Sequence, residues 1–234
     1  GSRAQRAHRI RLPGAHTMSA AAVARPVKRA RHRLSKVANA RDTIAGFGPG
    51  VDVVGLTHGQ FSLLDLIQAT LDITGPARVD IATWSAGLYD VDAARRFVDD
   101  GRITAVRFVM DSAAEKRGQA AAVDIGDLFG RDTIRTTRSH AKFALIGNSS
   151  WSVVITSSMN LNLNPRVEQF EMTDDADRHS FFAAWVDELF AELPAGGERR
   201  GDDRSLPATR GLDHVQPITG VSGVGTITPG RIHE

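Results

Sequence analysis

Residues 138–168 read RSHAKFALIGNSSWSVVITSSMNLNLNPRVE, and this stretch decides the fold. It falls within three strand candidates in close succession, Thr133–Ile146, Trp151–Ser157 and Val167–Met172. Residues two apart on a strand point to the same face, so His140 and Lys142 are expected to project side by side, with Arg138 next in the row. Ser158 and Asn160 share a face by the same rule if the second strand continues that far. Glu168 opens the third strand in a row with Phe170 and Met172.

Working outward, the apolar pattern alternates between strand and helix. Strands are expected at Asp52–Leu56, Arg78–Trp84 and Ile103–Met110. Helices are expected at Phe61–Thr70, Val91–Val98, Ala113–Leu128 and Asp177–Leu193, the last with Phe181, Trp185 and Leu189 on one stripe. Such alternation implies an α/β domain, a mixed sheet flanked by helices on both faces, spanning about residues 51–193. Residues 1–50 read as a basic, flexible N-terminal arm closed by Gly46-Phe47-Gly48-Pro49-Gly50. Residues 194–234, with four prolines and no sustained period, read as a flexible tail.

Charge separates arm from body. Of the 29 Lys and Arg residues, 11 fall within residues 1–41, where no Asp or Glu occurs. The other 18 face all 27 acidic residues, so a basic arm joins an acidic body although the net charge is only +2. The absence of cysteine excludes disulfides, thiolate metal sites and Cys nucleophiles. No apolar run has the length of a membrane span, and the N-terminal alanines are broken by arginines rather than forming a signal-peptide core. A cytoplasmic location without stable membrane association is expected.

The residue types around Arg138–Glu168 suit phosphodiester chemistry. A neutral imidazole can attack phosphorus. Lys, Ser and Asn can donate to the non-bridging oxygens as charge builds there. A carboxylate can hold the imidazole in its useful tautomer. This inventory requires neither metal nor cofactor, and the sequence has no His-Glu-x-x-His, EF-hand loop or dense acidic cluster. Taken singly, His-x-Lys is a chance motif, Ser-x-Asn a turn and Glu168 a strand-end carboxylate. His58 reads as a solvent-exposed turn residue.

Taken together, His140, Lys142, Ser158 and Asn160 resemble the phospholipase D superfamily signature, His-x-Lys, four residues, Asp, then Gly-Ser-x-Asn. Glu168 resembles the acidic residue that follows it, and the resemblance covers about residues 52–192. Two positions depart from the pattern: the Asp position holds Gly147, with Asn148 beside it, and the glycine before the motif serine is Ser157. The resemblance implies a metal-independent phosphodiesterase. Because the chain has one signature copy, it also implies a homodimer that assembles one site from two chains. In that site one His140 forms a phosphohistidine and the other protonates the leaving oxygen. Lys142, Ser158 and Asn160 hold the phosphate, and Glu168 orients a histidine.

The arm chooses among phosphodiesters. Lys28, Arg29, Arg31, Arg33 and Lys36, with Arg138 at the site, are the expected nucleic-acid contacts, which favours a DNA endonuclease. The stretch lacks the apolar face of a membrane-surface helix. The bland reading of the arm is a solubilising leader. The alternatives are a phospholipid hydrolase or phosphatidyl transferase using the same residues, and a DNA-binding protein with a degenerate site.

Overall fold

The computed structural model describes residues 30–34 through their backbone, and residues 39–84, 95, 96, 98–111 and 125–196. Within these, the apolar runs become one mixed sheet: β1 (Ala30–Leu34), β2 (Asp52–Thr57), β3 (Ala77–Thr83), β4 (Ile103–Asp111), β5 (Ile134–Thr137), β6 (Phe143–Gly147), β7 (Ser152–Ser157) and β8 (Glu168–Asp174). The spatial order is β1-β2-β8-β7-β6-β3-β4-β5. The pairs β1–β2, β3–β4 and β4–β5 are parallel, and the four central pairs are antiparallel.

Both faces of the sheet are covered. On the first, α1 (Ala40–Thr43) and α2 (Leu63–Thr74) bury Leu63, Leu66, Ile67 and Leu71 against Val79, Ile81, Ile146, Ile155 and Phe170. On the second, α3 (Ala176–Glu192) sets Val186 and Leu189 against Ala82, Val109, Phe143, Leu145 and Val154. Each large aliphatic or aromatic side chain so buried contributes about 1.5–3 kcal/mol. The expected α/β class, with helices on both faces, is the observed one.

Local chemistry explains where elements depart from the expected bounds. The first long helix begins at Leu63 rather than Phe61 because Ser62 caps it. Asp65 N–H donates to Ser62 Oγ (3.3 Å) and Ser62 N–H returns to Asp65 Oδ2 (2.7 Å). It runs to Thr74, where Gly75 at φ 72° ends it. On α3 the core stripe is Phe182, Trp185, Val186 and Leu189. Phe181 lies outside it and meets Phe182 edge-on. Gly55 is required by packing, since a Cβ there would lie 2.3 Å from Phe170 Cε1. Of the expected helices Val91–Val98 and Ala113–Leu128, helical residues 95, 96, 98, 99 and 125–129 are seen, and the rest lies outside the described residues.

The domain bounds also shift. The expected break at residues 50–51 falls inside the folded part. Ile44 and Phe47 are buried in the first core, Phe47 stacks on Trp151 (6.1 Å between centroids), and residues 30–34 add a parallel edge strand beside β2. At the other end Gly196 N–H donates to the carbonyls of Arg131 and Ile134, so residues 194–196 belong to the fold. The remainder of the arm and tail lies outside the described residues.

A buried carboxylate fastens α3 to the sheet. Asp80 on β3, 3% exposed, accepts from Arg107 Nε (2.8 Å) and Nη2 (2.7 Å), and Arg107 Nη1 reaches Asp187 on α3 (2.7 Å). The β6–β7 hairpin is tied down by Asn148. Its Nδ2 donates to the carbonyls of Thr74 (3.0 Å) and Pro76 (3.1 Å), and its Oδ1 accepts from the N–H groups of Ser150 (2.9 Å) and Trp151 (3.0 Å). Replacing Asn148 with Ala removes all four bonds at an exposed turn and is expected to lower unfolding stability by about 1–2 kcal/mol in urea titrations. An unchanged midpoint contradicts this role.

Candidate active site

At one end of the sheet the C-terminal ends of β2, β3, β4, β5 and β7 meet the N-terminal ends of β6 and β8. In open α/β sheets the carboxyl ends of strands are where ligands gather. His140 and Lys142 lie here, though not on a strand. The expected strand Thr133–Ile146 is two strands, β5 and β6, separated in the sheet by β4 and β3. Residues 138–142 must therefore cross the sheet end, roughly 14 Å at the usual strand spacing. Strand alternation does not place the two side chains together; the crossing does. Lys142 Nζ lies 3.1 Å from His140 Nδ1 and 3.2 Å from the His140 carbonyl oxygen. An ammonium only donates, so the ring nitrogen it meets presents a lone pair.

The Ser158 and Glu168 side chains meet beside the ends of the neighbouring strands β7 and β8. Ser157 N–H donates to the Lys142 carbonyl (3.1 Å), extending the β6–β7 ladder to the lysine itself. Ser158 Oγ donates a short hydrogen bond to the Glu168 carboxylate and accepts from Gln169 N–H (3.0 Å). Within one chain the Glu168 carboxylate is thus held by the Ser158 hydroxyl. Asn160 gives its carbonyl to the N–H of Leu63 at the start of α2 (3.3 Å). Its buried Oδ1 has no hydrogen-bond partner among the described residues. The second strand ends at Ser157, so Ser158 and Asn160 stand in the loop beyond it.

Both departures from the resembled signature have local explanations. The Ser157 hydroxyl folds back, donating to the Gln169 carbonyl (2.8 Å) and accepting from Met159 N–H (2.9 Å). It closes the turn instead of filling the site. At Gly147 a Cβ would lie 3.0 Å from His179 Nε2, at the sheet end remote from Lys142, and Asn148 beside it makes the hairpin tie described above.

The remaining expected contacts are less concentrated. Arg138 is exposed in the bend that opens the crossing. Arg31 and Arg33 belong to β1 at the sheet edge, so this part of the arm is strand; Lys28, Arg29 and Lys36 lie outside the described residues. His58 is exposed in a turn, its N–H held by Gln60 Oε1 (2.5 Å). Gly59 follows at φ 82°, and a Cβ there would meet Pro165 Cα at 2.6 Å, so this turn nests against the loop beyond Asn160.

Two participants were not foreseen. Trp84, just past β3, places its ring 5.6 Å from that of His140 at a 49° tilt. Asp111, at the end of β4, acts on Lys142 by charge. Burial lowers the Lys142 pKa, while Glu168 and then Asp111 oppose the shift by favouring the ammonium. The available signal for both was their position at the C-terminal ends of adjacent parallel strands.

A cavity of about 340 Å³ sits between the far end of β6 and α3, lined by Arg78, Asp80, Arg107 and His179 among others. Another of about 430 Å³ lies beside α1 and the start of α2. In the first, Arg78 and Arg107 both pair with Asp80 and Arg107 also pairs with Asp187, so its charges are directed at one another. At the strand end, by contrast, His140 is exposed and Lys142 partly so.

No family model matches the chain, and no curated protein does. Among solved structures the chain is similar to Nuc, a phospholipase D family member from Salmonella typhimurium, with TM-score 0.47 and 16% identity over 62% of this chain and 96% of that one. It is also similar to NucT from Helicobacter pylori (TM-score 0.40, 14% identity, 62% and 99% covered). A third is polyphosphate kinase from Porphyromonas gingivalis (0.43, 15%, 60% and 26%). No helix among the described residues is long and apolar enough to cross a membrane.

The charge environment of Lys142 is directly measurable. With the lysines reductively methylated using a ¹³C label, NMR titration is expected to place Lys142 below the ordinary lysine value of about 10.4. Glu168→Gln should lower it further, because that carboxylate favours the charged form. A midpoint at or above the ordinary value contradicts the site's electrostatics.

Proposed function

We propose that this chain is a phosphodiesterase of the phospholipase D type, a DNA endonuclease working through a phosphohistidine in a homodimeric site. The observation that carries this reading is the His140–Lys142 pair, 3.1 Å apart at the sheet end, with Ser158 and Glu168 joined on the adjacent strand ends. Imidazole, ammonium, hydroxyl and amide there supply a nucleophile and several donors for a tetrahedral phosphate.

In the proposed reaction a lone-pair nitrogen of one His140 attacks phosphorus. The bond to the leaving oxygen breaks, and that oxygen takes a proton from the His140 of the second chain. Water then attacks the phosphohistidine, gives a proton back to the second imidazole and releases the first. Lys142 turns from the imidazole to a non-bridging oxygen as the phosphate enters. Asn160, whose Oδ1 the fold leaves unsatisfied, supplies an amide beside it. The exposed Leu163 and Val167, beside this loop, are apolar surface that pairing of two chains would cover. Of the two departures that motivate the degenerate-site alternative, Ser157 is engaged with the backbone, and the missing Asp at Gly147 remains. The lipid alternative is disfavoured by the basic arm, which suits a polyanion.

The test is cleavage of plasmid and single-stranded DNA in EDTA. The wild-type chain is expected to cut, and His140→Ala to lose at least about a thousandfold in rate, as removal of a covalent nucleophile does. Cleavage that survives the substitution, or that requires a divalent ion, contradicts the assignment. Turnover of phospholipid vesicles without DNA cleavage would transfer the same residues to the lipid reading.

A further inference from the structure

Trp84 is not used by the chemistry above, yet its ring lies against that of the proposed nucleophile. It stands one residue beyond β3, 40% exposed, with its ring centroid 5.6 Å from that of His140. A large indole left this open at the mouth of a polar cluster exposes apolar surface that the fold does not bury, though Phe143 at the start of the adjacent strand β6 is packed under α3. Leu163 and Val167, also exposed, lie in or next to the loop carrying Asn160, and the exposed Leu56 lies near the end of β2. Trp84 is therefore placed differently from them: beside the attacking ring rather than beside the phosphate-holding loop.

We infer that Trp84 is a stacking platform for a nucleobase adjoining the phosphate attacked by His140, and so favours an unpaired nucleotide there. This rests on the reading that the cluster handles a nucleic-acid phosphodiester. In a nucleotide the base is joined to its phosphate through one sugar, so a phosphate seated at His140 and Lys142 brings a neighbouring base within reach of the next side chain. An exposed indole offers a π-face that any base can cover, whereas a base inside a duplex presents its faces to its neighbours. In the proposed site Lys142, Ser158 and Asn160 would serve the phosphate and carry no preference for a base.

The experiment separates stacking from support of the imidazole. Binding of dye-labelled oligothymidylate, and of a base-free strand of tetrahydrofuran nucleotides of equal length, is measured by anisotropy in His140→Ala protein, which leaves both intact. Adding Trp84→Ala is expected to weaken oligothymidylate binding roughly ten- to hundredfold, and base-free binding by less than about twofold. Trp84→Phe should keep most of the affinity. In His140-containing protein, kcat/KM on the two strands should show the same contrast. Equal losses on both strands would mean that Trp84 supports the site generally, and no loss on either, or no binding of either strand, would equally overturn the inference. If His140→Ala still cleaves, the catalytic reading fails, and the kcat/KM contrast between the two strands alone decides the role of Trp84.

Discussion

The crossing of residues 138–142 over the sheet end is the constraint on which the rest depends. Because β5 pairs only with β4, and β6 lies between β3 and β7, the chain has to pass two strand ends to get from one to the other. Six residue steps, Thr137 to Phe143, reach roughly 20 Å when extended, enough for that passage with little slack. Side chains borne by such a segment are held over the strand ends by backbone pairing on both sides. The pairing on the β6 side continues through the bond from Ser157 to the Lys142 carbonyl, so the lysine's backbone is fixed as firmly as a strand residue.

Around that crossing, the charges are arranged so that the ammonium is neither freely solvated nor neutralised. Burial disfavours the Lys142 cation, and Glu168 and Asp111 partly restore it. Glu168 is itself engaged by Ser158, so hydroxyl, carboxylate and ammonium form one electrostatic unit. On the far side of the sheet, the Asp80–Arg107–Asp187 chain is closed upon itself and fixes α3, which marks it as scaffold.

Much of this was legible in the sequence. The apolar periods give the strands and helices of a mixed sheet, and the order His-x-Lys, Ser-x-Asn, Glu singles out the candidate residues at its end. What alternation hid was the break in Thr133–Ile146: a run of β-forming residues on both sides of Arg138-Ser139-His140 gives no sign that its halves belong to different positions in the sheet. The arm was misjudged for a related reason. Ala30–Leu34 is too charged to read as a strand alone, and it becomes one by backbone pairing to β2, which composition does not encode. Trp84 and Asp111 became visible as neighbours of His140 and Lys142 only when β3 and β4 were brought alongside β6. The engagement of Glu168 by Ser158 was likewise beyond periodicity, which assigns faces but not partners.

The central claim, that this cluster grips and attacks a phosphate, is tested most directly by looking for the covalent intermediate. Protein mixed with a phosphorus-labelled DNA strand and quenched in alkali, where phosphohistidine persists, should carry label on the peptide containing His140, appearing before product and vanishing as substrate is exhausted. Label on a different residue, or sustained cleavage with no labelled protein at any time, would contradict it.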